Sequence, residues 1–385
     1  LFAGTETGLY ISWNNGNSWT KTQLGLPVTP ITDLKIHQGN LIAATMGRAF
    51  WILDDLYMVR NYARLKSAET MQLFGPASIY RLGGGSALDA ANSNDDPRPA
   101  TPKFEGANAP VGLVLYYSLP AGSDSSKLSL TIKNEKGELV RRYLDSADQK
   151  FVEFPGGPPA AAILPKKAGL NRFVWDQRYS VLPGVPRAYM EGNWDGHRAP
   201  LGKYLAELTL DGKTVQHSFM IRPNPLIQAT QADYDEQHLW LTRVEDGLRD
   251  LHFSVLKLRV AKKQVNDLLE LIGDKPAYSE VRRSASEVLA RMNKWEEELV
   301  QNRTQSYDDI INFVNKLSAD YFFLKGEMDT NMPFVTDGQK EQFKTLDDTW
   351  QPLKSEYNSI TQTAIPALNA LCRKAGIERV MMPVE

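Results

Sequence analysis

The first 57 residues alternate apolar and polar positions in short runs, a pattern that predicts β-strands. The runs are separated by turns rich in Gly and Asn, and they are LFAGT, GLYIS, ITDLKIH, NLIAAT and AFWILDD. Strands this short and this regularly spaced are typical of an all-β repeat architecture. We therefore predict an all-β segment over residues 1–57.

Strand-like runs resume from about Val111 to Arg222. They include VGLVLYYSL, KLSLTIKN and KYLAELTLDGKTVQHSFMI, and the last of these contains the Asp-Gly pair that favours a β-hairpin turn. About a hundred residues of such strands predict an immunoglobulin-like β-sandwich, here without the cysteine pair of antibody domains.

Beyond Asn224 the apolar positions recur at intervals of three and four, which predicts amphipathic helices. Four such segments lie at about 244–258, 281–299, 310–324 and 343–360. Short polar breaks join them, so we predict an antiparallel four-helix bundle. The TDGQ stretch at Thr336 predicts a capping box, and Pro352 and Pro366 are expected to kink or interrupt the last helix.

The predicted organisation is multidomain β plus α. Residues 1–57 form the strands of one or more partial repeats, 58–108 are a linker, 109–223 form the sandwich and 230–378 form the bundle. The linker assignment depends on the stretch RLGGGSALDAANSNDDPRPATPKFEGANAP, which is rich in Gly, Ala, Asn, Asp and Pro.

The stretch SWNNGNSW at residues 12–19 predicts a polar hairpin turn. Ser12 and Asn14 are placed to bond the turn backbone, Gly16 can adopt a positive φ, and Trp19 can fold back as an apolar plug. The turn uses up its own polar side chains, so we expect this motif to be structural.

Composition excludes several function classes. The 385 residues carry a formal net charge of −2 with no long block of one sign, so we expect no nucleic-acid partner. No run reaches the ~20 apolar residues of a membrane span. The lone Cys372 can form no internal disulfide. The chain opens in a strand pattern without Met or a signal peptide, so we expect a piece of a longer protein.

Ser-x-Asn-x-Gly-x-x-Trp resembles the Asp-box of bacterial neuraminidase repeats, with Asn14 where Asp is commoner. Together with LPVTPITDLKIHQGNLIAATMGRAFWILDD, it is similar to the last blade or so of sortilin-like β-propellers in large exported bacterial proteins labelled BNR-repeat glycosyl hydrolases. WDQRY and NWDGHRAPLGKY resemble the FlgD-type immunoglobulin-like fold, and ALNALCRKAGIERVMMP resembles the C-terminus of that propeller family. Met46 departs from the His that the family often has before Gly47 and Arg48.

The resemblance implies a bacterial protein exported to the periplasm, the outer membrane or the exterior. One hypothesis is a non-catalytic accessory region that braces the missing propeller portion and binds a glycan or another cell-envelope protein. A second is a fragment of a glycoside hydrolase whose active site lies in the missing blades. A third is an assembly protein that forms homo-oligomers through exposed strand edges or helices.

Candidate site residues fall in two places. Arg48, Asp54 and Asp55 can belong to the rim of a propeller active site, although sialidase or paired-carboxylate chemistry needs residues from several blades. The alternative role for these three is to close the blade.

A loop of the predicted sandwich forms the second candidate. Its residues Tyr189, Trp194, His197 and Arg198 can stack on a sugar or bind a partner, or Trp194 can pack in the core. The spacing of the five histidines predicts no metal site, and nothing predicts a cofactor.

Overall fold

The computed structural model describes residues 1–62, 65, 70–82 and 110–377. The chain divides into two compact units. The β unit comprises 1–146, 163–177 and 202–224, and the helical unit comprises 147–162, 178–201 and 225–385. Most of the predicted linker, 83–109, lies outside the described residues.

The first part of the β unit contains two three-stranded antiparallel sheets. Their strands are β1 Phe2–Thr5, β2 Gly8–Ile11 and β3 Thr20–Lys21 in one sheet, and β4 Ile31–His37, β5 Asn40–Thr45 and β6 Phe50–Leu53 in the other. A short helix, α1 (Leu56–Arg60), follows. The strands form because their alternating apolar side chains share a core that contains Leu9, Leu41 and Leu56.

The rest of the β unit contains two further sheets. Their strands are β7 Gln72–Phe74, β8 Ser78–Tyr80, β9 Leu113–Leu119, β10 Leu128–Asn134, β11 Leu139–Leu144, β12 Gly169–Trp175, β13 Gly202–Leu210 and β14 Lys213–Arg222. The five-stranded sheet has the order β11-β10-β13-β14-β8, and the three-stranded sheet has the order β12-β9-β7. All pairs are antiparallel except β14 with β8.

Strands β7 and β8 lie inside the segment that the sequence assigned to a linker. β8 pairs with β14 and β7 pairs with β9, so this segment supplies an outer strand to each sheet. Each strand is only three residues long. Three residues are too few to show an alternating pattern, and for that reason composition favoured a linker.

In its described residues, 147–162, 178–201 and 225–377, the helical unit contains five α-helices. They are α2 Gln231–Ile272, α3 Ser279–Leu299, α4 Leu317–Met328, α5 Asp337–Ser359 and α6 Ile365–Lys374. One turn of π-helix, Ile360–Ala364, joins α5 to α6. The apolar stripes of these helices share one core, which includes Leu248, Trp295 and Trp350. In the described part of the chain, no helix is long and apolar enough to cross a membrane.

The predicted cap of α5 is present, because Thr336 and Gln339 form the expected capping box. α2 ends at Ile272, with Gly273 at its C-cap. Pro352 lies within α5, which continues past it, whereas Pro366 lies in the first turn of α6, where a missing N–H costs little.

Two expectations need correction. The third predicted helix starts at Leu317, because residues 307–311 form a separate short 3₁₀ turn. The expected sandwich, 109–223, is also not one continuous unit. Residues 147–162 and 178–201 cluster with the helices, and Trp194 packs on Phe322 there with 4.5 Å between ring centroids.

Candidate functional site

The SWNNGNSW stretch forms a polar turn between β2 and β3. The Ser12 hydroxyl accepts hydrogen bonds from the backbone N–H groups of Gly16 (2.8 Å) and Asn14 (3.4 Å) and donates to Oδ1 of Asn14 (3.0 Å). Oδ1 of Asn14 also accepts from the Ser18 N–H at 2.9 Å, and Gly16 has φ +93°. The turn therefore uses these polar groups internally.

Trp19 folds back toward Gly16, as expected, but it stays 43% exposed, so it covers the turn without being buried. The neighbouring Trp13 also anchors the turn, because its indole Nε1 donates to the carbonyl of Val59 at 3.0 Å and its ring stacks on Tyr62.

Of the three candidate rim residues, only Asp55 has its side chain in a hydrogen-bonded cluster. It precedes α1 with φ +55°, and its carboxylate accepts a 3.0 Å hydrogen bond from the Tyr116 hydroxyl of β9. The guanidinium of Arg172 on β12 lies 6.0 Å from the Tyr116 ring centroid. Arg48 and Asp54 are exposed, and the Arg48 carbonyl accepts from the Trp51 indole.

The electrostatics of this cluster do not suit a tyrosine nucleophile. Burial and the nearby Asp55 carboxylate raise the pKa of Tyr116, so its phenolate is disfavoured. Burial also raises the pKa of Asp55. A phenol activated for attack needs the opposite shift, because only its deprotonated form is strongly nucleophilic. The cluster therefore fits a structural contact.

The second candidate, the loop at residues 178–201, is fixed to the helices by a buried ion pair and by hydrogen bonds from a buried lysine. Arg178 contacts Asp329 at 2.6 Å, and the Lys325 ammonium donates to the carbonyls of Asn193 (2.9 Å) and Asp195 (2.6 Å). Burial alone would raise the pKa of Asp329, but the charges of Arg178 and Lys325 outweigh it and hold that pKa below its ordinary value. These contacts anchor the loop.

His197 is part of the same anchoring network. Its backbone N–H donates to Oε1 of Glu245 at 2.6 Å, and its Nε2 lies 2.8 Å from Nδ1 of His238. Its Nδ1 lies 3.1 Å from Oε2 of Glu245, an ion-pair distance without hydrogen-bond geometry. Tyr179 stacks on both imidazoles. Arg198 donates to Asn331 at 3.1 Å and is partly exposed.

Trp194 is also buried, and its ring centroid lies 5.9 Å from that of His252, which is hydrogen-bonded to Ser318. Nδ1 of His252 lies 2.5 Å from the Pro183 carbonyl, which can only accept, so Nδ1 carries the proton. Nε2 of His252 lies 2.5 Å from the Ser318 hydroxyl. Burial lowers the pKa of His252 to about 4, so the imidazole is neutral and accepts from Ser318. Such a weak base activates a serine poorly.

Tyr189 lines a cavity of about 190 Å³ in the helical unit. Its apolar wall includes Met190, Ala319 and Phe322, and Ser318 and Thr304 add polar groups. Thus the structure brings Tyr189 to a cavity, buries Trp194 and His197, and leaves Arg198 at the surface.

Sequence reasoning missed the partners that complete these clusters. Tyr116, Asp329, Lys325 and Ser318 lie 61 to 151 positions from the groups they contact. The Lys325 and Asp329 pair, spaced i and i+4 beside an apolar stripe, was a usable signal of buried charge. Among the described residues, no group of three or more His, Cys, Asp or Glu side chains can hold a metal ion.

Comparisons with known proteins add no relatives. The chain matches no protein-family model, no curated protein and no solved structure. The site residues must therefore be argued from their geometry alone.

Proposed function

We propose that this chain is a non-catalytic accessory and interaction region of an exported bacterial BNR-repeat propeller protein. In this proposal, β1–β6 belong to propeller blades, β7–β14 are an immunoglobulin-like sandwich, and α2–α6 are an antiparallel helical bundle. Its partner is the remaining propeller, which adds strands beside β6.

The observation that carries the proposal is an apolar edge on the β4–β5–β6 sheet. β6 is an edge strand, and its alternate residues Phe50 and Ile52 are 76% and 61% exposed. Ile42 on β5 lies directly opposite Ile52, on the same face. An edge strand offers unpaired N–H and C=O groups, and exposed large apolar side chains on it favour the docking of another strand.

The Asp55 cluster supports a non-catalytic role for this part of the chain. Burial and the nearby Asp55 carboxylate raise the pKa of Tyr116, so its phenol is poorly suited to act as a nucleophile. Sialidase-type hydrolysis uses a tyrosine nucleophile, which needs the opposite shift.

Site-specific photo-crosslinking in the native polypeptide tests the proposal. A benzophenone amino acid replaces Phe50, and a matched control carries it at Ile311, which is 89% exposed in the helical unit. We expect crosslinks from position 50 to strands that precede an Asp-box turn, above the control level. Crosslinks to a second copy would show that this edge forms a homo-oligomer and does not bind the propeller, which would overturn the assignment. Crosslinks to a glycan or another envelope protein would overturn it as well. An absence of crosslinks above the control would refute the docking edge.

A further inference from the structure

The cavity beside Tyr189 has the size and lining of a small-molecule site. An apolar cavity of about 150 Å³ accepts benzene. This cavity, at about 190 Å³, has space for one aromatic ring and a short substituent. Phe322, Met190 and Ala319 give it an apolar wall, and the first two are at least nine-tenths buried.

One buried polar group in the lining has no partner in the protein. Thr304 is only 4% exposed, and among the described residues its hydroxyl forms no hydrogen bond, although its carbonyl accepts from the Tyr189 N–H. Thr304 lines the cavity, so its hydroxyl is available to a bound molecule. A ligand acceptor that replaces solvent at this hydroxyl would gain a hydrogen bond worth about 1 kcal/mol.

The charges around the cavity favour an anion over a cation. Lys316 is half-buried in the lining and pairs with no carboxylate in the part of the chain that the structure describes. It precedes α4, and the N-terminal turn of that 12-residue helix adds a partial positive charge beside Ser318. Glu191 also lines the cavity but is exposed, so solvent screens its charge more than that of Lys316.

We propose that this cavity binds a small monocyclic aromatic carboxylate. The ring packs on Phe322 and Met190, and the carboxylate accepts hydrogen bonds from the Thr304 hydroxyl and the Lys316 ammonium. The Ser318 hydroxyl donates to His252 and so presents only its lone pairs to the cavity. We assign a binding role to the cavity because the imidazole that contacts Ser318, that of His252, is a weak base that activates a hydroxyl poorly.

Calorimetric titration of the full chain with phenylacetate tests the assignment. We expect one saturable site with a Kd of about 1 mM or tighter, the affinity that ~10 non-hydrogen atoms supply at modest ligand efficiency. Phenethylamine should bind more weakly, since it carries the opposite charge. No saturation up to about 10 mM phenylacetate, well above that Kd, or tighter binding of phenethylamine, would overturn the proposal.

Three variants locate the ligand. Ala319→Leu fills the cavity and should abolish binding, whereas Ala290→Leu, at an exposed position of α3, should not. Lys316→Gln should weaken phenylacetate about tenfold and leave neutral 2-phenylethanol unchanged, with the exposed Lys294→Gln as control.

The third variant, Thr304→Val, keeps the shape of the side chain and removes only the hydroxyl. It should weaken phenylacetate about fivefold, a typical effect of one lost hydrogen bond. If Ala319→Leu fails to fold, Thr304→Val still tests whether phenylacetate binds in this cavity. Unchanged phenylacetate binding in Ala319→Leu, or in both Thr304→Val and Lys316→Gln, would place the ligand elsewhere and refute the assignment.

Discussion

The buried His252 should make the helical unit sensitive to mild acid. Its folded-state pKa is about 4, compared with 6.5 for an unperturbed histidine, because burial disfavours the imidazolium. As pH falls below the unfolded value, the unfolded chain binds a proton that the folded chain does not. The stability present above the unfolded pKa is therefore lost progressively as pH falls from 6.5 toward 4.

The size of this effect follows from the two pKa values. Between about pH 8 and about pH 5, the difference in proton binding removes about 2 kcal/mol from the free energy of unfolding. The folded-state pKa values of Glu245 and Asp329 are lowered. These carboxylates therefore reduce the free energy of unfolding further only below about pH 4.5, near their ordinary pKa values. Asp320 and Asp55, whose pKa values are raised by burial, contribute with the opposite sign near about pH 5, so the His252 contribution is obtained by comparing the wild type with a variant that lacks only this imidazole.

Urea unfolding, followed by far-ultraviolet circular dichroism, measures the loss at both pH values. In His252→Gln the about 2 kcal/mol histidine contribution should disappear, so the variant should lose less stability on acidification than the wild type. His37→Gln, at an exposed position of β4, should behave as the wild type. Equal acid-induced losses in the wild type and His252→Gln would refute the assignment of the proton to His252.

Two further predictions concern polar anchors. Asp329→Asn removes the buried carboxylate that Arg178 and Lys325 both face and should cost about 3–5 kcal/mol in urea unfolding, whereas Asp267→Asn at an exposed pair should cost at most about 1 kcal/mol. Equal losses would contradict this. Ser12→Ala removes three hydrogen bonds of the turn at residues 12–19 and should increase amide exchange at Gly16 and Ser18 with little change in the helices. Unchanged exchange at Gly16 and Ser18 would show that the hydroxyl does not order the turn.

Sequence reasoning succeeded where the deciding contacts are local. The Thr336 cap depends on a residue three positions away, and the Ser12 turn depends on residues two and four positions away. Such contacts leave a signature within a short window of sequence. The apolar periods of α2 and α3 predicted these two helices for the same reason.

The same reasoning failed where a contact joins distant parts of the chain. Nothing near His197 indicates Glu245, and nothing near Asp55 indicates Tyr116, because the fold alone brings them together. The loop at 178–201 was placed in the sandwich because its flanking strands belong there. Its Trp194 packs instead on Phe322 in α4, a contact that no local pattern shows.

Whether polar side chains are already paired distinguishes the loop at 178–201 from the cavity beside Tyr189 as a place for a ligand. A cluster of aromatic and charged residues predicts binding only if its polar groups remain available. Here the His197 N–H donates to Glu245 and Arg178 pairs with Asp329, so their hydrogen bonds stabilise the loop rather than a ligand. Thr304 and Lys316 keep their side chains unpaired among the described residues, and both line the cavity beside Tyr189. The proposed ligand site is therefore the cavity, and the loop, whose own polar groups are paired, supplies Tyr189 and Met190 to the cavity wall.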